Sequence, residues 1–306
     1  MTEPRIIRFM RYRTPMAVIS LLTVIIGMIA LGTKGLNLGL DFTGGTTAEI
    51  AFAKSVETEE LQAALEKAGF ADTIVQYAGG AESVIVRMPP QKGHETNISA
   101  DLLAAANFSP DNPATLKQVD SVGSQVGDEM YEQALIAVGM SLFMMMIYVA
   151  FRFRWKFAVG ATISLLHDTL FTVGIFAIFG WPFDLAVLAA VLALIGYSLN
   201  DTIVVFDRIR ENFRKLRKSD PVEVLDISLT ETLRRTIMTV TTVVLVVLAL
   251  LLLGGSALKW FSVALLVGLF AGTYSSIYIA TAYALAMGLS KDDFMVQAKS
   301  EADDRP

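Results

Sequence analysis

The stretch 183-FDLAVLAAVLALIGYSLNDTIVVF-206 decides the fold class of this chain. A helix of about 20 apolar residues crosses a hydrocarbon layer roughly 30 Å thick, and this run is long enough to do so. Asp201 interrupts it toward its far end, with Asn200 alongside. An aspartate in the middle of a spanning helix costs roughly 2.5–3.5 kcal/mol on insertion scales, so its presence points to a polar pathway or a proton carrier. The plainer alternative is a hydrogen bond between helices.

Composition extends the membrane reading to the whole chain. Of the 306 residues, 54% are hydrophobic, which suits a polytopic membrane protein better than a soluble domain. The formal net charge of −5 argues against nucleic acid as a partner. With no cysteine and only His94 and His167, disulfides, thiolate chemistry and a multi-histidine metal site are excluded. No Gly-rich phosphate loop ending in Gly-Lys-Ser or Gly-Lys-Thr occurs. Work done by this chain is therefore expected to draw on an ion gradient, with no cofactor.

Six runs meet the length of a spanning helix, at 15–33, 132–151, 157–179, 184–206, 236–254 and 258–289. The first continues well past Ile25 without a small-residue cleavage pattern and reads as a permanent anchor. Arg5, Arg8, Arg11 and Arg13 precede it; Arg152, Arg154 and Lys156 follow the second; Arg208, Arg210, Arg214, Lys215, Arg217, Lys218, Arg234 and Arg235 lie between the fourth and fifth; the opposite short loops hold only Lys259. The excess of positive charge places the N-terminus 1–14, the basic loop 207–235 and the tail 291–306 in the cytoplasm. The long insertion 34–131 then lies on the far side.

That insertion reads as a compact α+β unit with net negative charge. Strands are expected at 46–53, 73–77, 83–88 and near 117–122, and an amphipathic helix over 56–69 with Val56, Leu61, Ala64, Leu65 and Ala68 on one face. A turn at 78–81 and a polar loop at 89–97 separate them.

Within the spans, Gly160, Ser164, Asp168 and Thr172 recur every fourth residue and form one narrow face. His167 points about 100° from Asp168 on an ideal helix, so the two need not form a pair, although His167 can titrate near neutral pH. Asp168 is read either as a relay member or as a packing element. In the fifth span Arg235, Thr239 and Thr242 share a face. Asp201 lies about 8 Å inside the end of its own span at Phe206, a depth the Arg235 side chain can reach, and pairing would hold Asp201 ionised until a proton released the arginine. Gly268, Gly272, Ser276, Ala280 and Ala284 read as a packing seam. Met140, Met144, Met145 and Met146 read as adaptable packing, the basic segment 208–218 as an amphipathic helix on anionic headgroups, and 41–45 as a turn without chemistry.

The segment 196-GYSLNDTIVVFDRIREN-212, which includes Asp207 and Arg208, resembles the signature of the SecF side of the SecD/SecF family of bacterial Sec protein-export subunits. Three further segments agree in order: 39-GLDFTGG-45, carrying Asp41, Phe42, Gly44 and Gly45; 166-LHD-168; and 232-TLRRT-236. The resemblance implies a six-span subunit of the resistance-nodulation-division type with a ferredoxin-like external domain. It implies a SecD partner, association with the SecYEG channel and its associated subunits, and proton-driven promotion of late preprotein translocation across the inner membrane. It also implies that Asp201 and Arg235 take part in proton passage, with Asn200, Asp168 and His167 as neighbouring candidates. Ser124 stands where the resemblance leads one to expect proline, and Val240 where it leads one to expect serine.

Other readings differ in class. The same architecture suits a proton-coupled transporter of small molecules or lipids. An intramembrane aspartyl protease using Asp168 and Asp201 is disfavoured, because Asp201 follows Leu-Asn rather than Gly-x-Gly and the two lie at different depths. A passive scaffold for the channel is the third. The reading preferred is non-enzymatic.

Overall fold

A computed structural model describes residues 6–91, 97–153, 155–216, 218–290 and 293. Arg5, His94, Arg154, Arg217, positions 92–96 of the polar loop and, apart from Asp293, the tail from 291 onward lie outside the described residues.

In chain order, a 3-10 turn (Phe9–Tyr12) leads into α1 (Arg13–Lys34). There follow β1 (Asn37–Leu38), a single helical turn α2 (Leu40–Thr43), β2 (Gly45–Phe52), α3 (Thr58–Lys67), β3 (Ile74–Gly80), β4 (Ser83–Met88), α4 (Ile98–Ala106) and β5 (Ala114–Val122). The remainder is α5 (Ser124–Arg152), α6 (Trp155–Phe179), β6 (Pro182–Phe183), α7 (Leu185–Lys215), α8 (Pro221–Leu253), α9 (Gly255–Ser275), a π-turn (Ser276–Ala280) and α10 (Thr281–Ala286). Among the described residues, six helical segments have the length and hydropathy to span a membrane, the sixth being α9 continued through the π-turn into α10.

The external unit is a four-stranded antiparallel sheet in the order β3-β4-β2-β5. With α3 and α4 this gives the β-α-β-β-α-β succession of a ferredoxin-like domain. Its strands alternate as half-buried strands must: Ala48, Ile50, Phe52, Val84 and Val86 pack with Leu61, Leu65, Phe70 and Leu102 under the two helices, while Thr47, Glu49 and Arg87 occupy the other face. Helix α4 was not expected, although Ile98, Leu102, Leu103 and Ala106 carry the helical spacing. The last strand starts at Ala114, three residues before the expected 117, and α5 begins at Ser124, so the external domain ends before 131. Ser124 occupies the first helical position after the extended Gly123. Proline is favoured there but not required, so serine in its place leaves the junction intact.

In the bundle, α6, α7 and the sixth segment are the most buried, while α1, α5 and α8 present apolar flanks outward. Close helix approach follows from small residues. A Cβ added to Gly27 of α1 would lie 3.0 Å from Gly174 Cα of α6, and one on Gly160 of α6 would lie 2.6 Å from the Ala280 carbonyl oxygen. The seam at Gly268 and Gly272 packs as expected, against Leu194 and Ser198 of α7. The methionines depart from expectation: Met140, Met144 and Met146 face outward, and Met145 alone of the four packs against the core.

The largest correction concerns 207–235. It is not a loop, and 208–218 is not a separate interfacial helix: α7 runs unbroken to Lys215 and α8 starts at Pro221, leaving a short turn. Hydropathy marks where lipid ends, not where a helix ends. Beyond Phe206 the chain is rich in helix formers, and cross-links to α8 hold it. Arg208 donates to Glu231 at 2.7 Å and to Glu211 at 2.6 Å, and Asn212 donates to Ser228 at 3.0 Å and to Glu231 at 2.7 Å. Arg152 at the end of α5 donates to both oxygens of Asp207 at 3.2 Å. The N-terminal segment seats on the same hairpin, with the Met10 N–H donating to Asp226 at 2.8 Å and Ile7 N–H to Thr230 at 3.0 Å.

Candidate functional site

Among the described residues, Asp168 and Asp201 are the carboxylates buried in the apolar runs of the spans, in different surroundings. Asp168 is 1% exposed and fully engaged. Its Oδ2 accepts from Ser198 Oγ of α7 at 2.6 Å and from Ser275 Oγ of α9 at 2.8 Å, and Ser164 donates to Ser275 at 2.8 Å. Its Oδ1 lies 3.0 Å from His167 Nδ1, so the two do pair, which the ideal-helix argument left open. Adjacent side chains diverge at Cβ, yet an imidazole and a carboxylate are long enough to swing back toward each other. His167 packs beside Phe171 and Tyr274, and its Nε2 is buried without a hydrogen-bond partner among the described residues. Tyr274 in turn donates its hydroxyl to the Met16 carbonyl, linking this cluster to α1.

Asp201, one turn along α7 from Ser198, is 8% exposed. Oδ1 accepts from Thr236 Oγ1 of α8 at 2.8 Å, and Oδ2 is buried with no hydrogen-bond partner among the described residues. Arg235 is outward-facing, and no ion pair within 4 Å joins it to Asp201 among the described residues. The expected direct pair is therefore absent from this conformation. Asp201 is also not near a helix end, since α7 continues 14 residues beyond it. Thr239 and Thr242 donate to carbonyls of their own helix, and the hydroxyl that reaches Asp201 comes from Thr236, one position off the expected row. Asn200 of α7 and Arg235 of α8 are both exposed.

Thr202 continues the buried polar line, sharing a hydrogen bond of 2.9 Å with Ser276, the first residue of the π-turn. Turns of this kind are rare and often mark functional positions. Sequence reasoning missed Ser198, Ser275 and Thr236 as carboxylate partners. The only sequence signal for them is a hydroxyl at membrane depth, which many packing residues share. Asp168 and Asp201 each have their own partners and do not share a site, as a protease dyad requires.

At the external end, Asp41 is more than a turn residue. Its Oδ2 accepts the Leu185 N–H, the first of α7, at 2.9 Å, while Asp184 accepts the Val187 N–H at 2.9 Å as the N-cap. Burial pushes the Asp184 carboxyl above its ordinary value and the Asp41 charge adds to this, while the Val187 N–H and Arg87 oppose it. Phe42 packs on Phe183 at 6.2 Å, Gly44 and Gly45 take φ of +67° and +119°, and a Cβ on Gly45 would meet the Met88 carbonyl oxygen at 2.3 Å. These motif residues shape the passage from α1 into the external domain.

Two family descriptions match. Residues 103–290 match the C-terminal region of the protein export membrane protein SecD/SecF, and residues 29–56 match the SecD/SecF GG motif. The chain is 48% identical over 288 residues to the protein translocase subunit SecF of Pseudomonas aeruginosa, covering 93% of this chain and 94% of that one. The chain belongs to the SecF family. The Escherichia coli O157:H7 SecF is 40% identical over 301 residues, covering 97% of this chain and 93% of its own. A crystal structure of SecDF from Thermus thermophilus, described as a translocon-associated membrane protein, matches with a TM-score of 0.84 and 36% identity, covering 92% of this chain. SecDF in a super-membrane-facing form matches with a TM-score of 0.68 at 37% identity over 94% of this chain. The chain spans 39% of each of those SecDF chains, and so corresponds to part of them. Like its SecF relatives it is a multi-pass membrane protein.

Proposed function

We propose that this chain is the SecF-type subunit of a bacterial protein translocase and that, with a SecD partner, it uses a proton gradient to promote late stages of preprotein movement through the SecYEG channel. It sits in the inner membrane with both termini cytoplasmic, acts without a bound cofactor and catalyses no covalent step. Asp201 carries this reading: a buried carboxylate at membrane depth, with Oδ1 held by Thr236 and Oδ2 open to a proton. The ionised form keeps the Thr236 bond, and protonation removes the charge that the bond stabilises.

Supporting observations come from charge and shape. Arg8, Arg11, Arg13, Arg152, Lys156, Arg208 and Arg214 gather at one end of the bundle, as the positive-inside bias requires of the cytoplasmic side. Asn200 and Arg235 leave polar groups on outward flanks that a partner's helices would cover. The two SecDF forms differ in TM-score at nearly equal identity, which fits a family with more than one arrangement of its parts. One charge crossing 100 mV releases about 2.3 kcal/mol, enough to bias such a two-state change by well over tenfold.

The test is preprotein export into inverted membrane vesicles, comparing wild type with Asp201→Asn at equal subunit levels, with and without a proton gradient. Loss of the gradient-dependent component alone is expected. Unchanged gradient dependence would return Asp201 to the status of a packing residue.

A further inference from the structure

The external domain rests above the bundle across a polar cleft of about 590 Å³, lined by Glu49, Arg87 and Asp120 on the sheet side and by Asp41 and Asp184 below. Where the cleft closes, a short strap joins the two parts. The Gly39 N–H donates to the Phe183 carbonyl at 2.7 Å, and β1 pairs in parallel with β6 immediately before α7. The turn α2 then places Asp41 on the Leu185 N–H at 2.9 Å, and Gly45 passes directly into β2, which has β4 on one side and β5 on the other. On its other flank the strap is backed by α5: a Cβ on Gly127 would come within 2.7 Å of the Gly44 nitrogen. The strap thus joins the middle of the external sheet to the start of the helix that carries Asp201, through the β1–β6 backbone pairing beside that helix and through one carboxylate on the helix's own first N–H.

We propose that Asp41 is a positioning residue that couples the movement of α7 to the external domain. The proposal rests on the proton-coupled reading of Asp201 given above. Leu185 and Asp201 lie about 24 Å apart along one unbroken helix. A shift or tilt of α7 produced at Asp201 therefore appears at its external end, where the free N–H groups and the positive end of the helix dipole hold the Asp41 carboxylate. Asp184 occupies the neighbouring Val187 N–H and cannot replace it. The charged groups facing Asp41 are Asp184 from the same helix end and Arg87, Glu49 and Asp120 from the sheet above; the coupling is carried by the hydrogen bond and needs no change in the charge of Asp41.

Three variants isolate that bond. Asp41→Ala removes the acceptor. Leu185→Pro removes the donor while leaving Asp41 in place, and proline is well tolerated at a first helical position. Asp41→Asn keeps an acceptor oxygen without the charge. Because the natural chain has no cysteine, spin labels on Ala81→Cys in the external domain and Lys259→Cys at the outer end of the bundle report their separation specifically. The labelled full chain is reassembled with its partner subunit. Wild type is expected to show a label distance that shifts between acidic and alkaline pH, and Asp201→Asn to lose the shift. Asp41→Ala and Leu185→Pro should lose it too and lower gradient-dependent export by roughly fivefold, the scale of a lost helix cap, while Asp41→Asn retains both. A wild-type shift and wild-type export in either Asp41→Ala or Leu185→Pro would overturn the proposal. A shift that survives Asp201→Asn but not Asp41→Ala or Leu185→Pro would remove the proton reading and leave the strap standing.

Discussion

Thr236 of α8 donates its hydroxyl to Asp201 of α7 at 2.8 Å, and that bond is the point at which the two long helices share a buried polar contact at the level of the carboxylate. The opposite oxygen of Asp201 receives nothing from the described residues. Thr236 is therefore the one described side chain that donates a hydrogen bond to this carboxylate.

Replacing Thr236 by valine keeps the shape and removes the donor. A hydrogen bond to a charged group is worth about 1.5–3 kcal/mol, so gradient-dependent export should fall by roughly tenfold or more, while Thr236→Ser stays near wild type. Export in vesicles at equal subunit levels measures both, and equal loss in valine and serine variants would show that bulk, not the hydroxyl, matters.

Ser198 and Ser275 both donate to Oδ2 of Asp168 and join α7 and α9 to α6. Each single alanine variant should cost about 1–3 kcal/mol of stability. Because both act on one oxygen, the double variant should depart from additivity by at least about 0.5 kcal/mol. Thermal unfolding in detergent supplies the cycle, and strict additivity would mean that the two hydroxyls act independently.

Gly160→Ala places a methyl 2.6 Å from the Ala280 carbonyl, against backbone that cannot turn aside, and should destabilise by about 1–3 kcal/mol. Gly139→Ala on α5 meets nothing within 4 Å and should be neutral or stabilising by about 0.5–1 kcal/mol. Melting temperatures of the two variants, moving in opposite directions, check the distinction between a glycine needed for contact and one that is merely present.

Asp184 binds its proton more tightly in the folded protein than in the unfolded chain. The sign follows: its contribution to stability is greatest below the ordinary carboxylate value and is lost as pH rises through the raised one. Asp184→Asn, which retains a good N-cap, should flatten this part of the pH dependence and be at least as stable as wild type at neutral pH. Unfolding followed from pH 4 to 7 tests it, and a steeper loss in the variant would contradict the burial argument.

The spans and the external sheet were legible in sequence because they rest on local patterns: runs of apolar residues for α1 and α5 to α9, and alternation for β2 and β4. What escaped was set by distance along the chain. The pairing of β1 with β6 joins Asn37 to Pro182 through two residues per strand, too few to show a period. The reach of α7 to Lys215 depends on Glu231 and Ser228 of another helix. Asp201 itself was visible as a charge in an apolar run, whereas its partner depended on the rotation of α8, which brings Thr236 rather than Arg235 toward it. Asp41 passed as a turn residue because its bonding partner lies 144 positions away.

The π-turn in the sixth segment has a geometric consequence for the seam of small residues beside it. A four-residue repeat on an ideal helix advances about 40° at every step, so a row of five positions from Gly268 to Ala284 would wind roughly 160° around the axis and leave the groove it serves. A turn that takes in an additional residue rotates less per residue and gives back part of that drift. Gly272 still faces Ser198 and Asp168 before the turn, and Ala280, its last residue, and Ala284 beyond it still meet Gly160. The wide turn thus acts as a phase correction, keeping one stripe of the helix aligned with two neighbours at once.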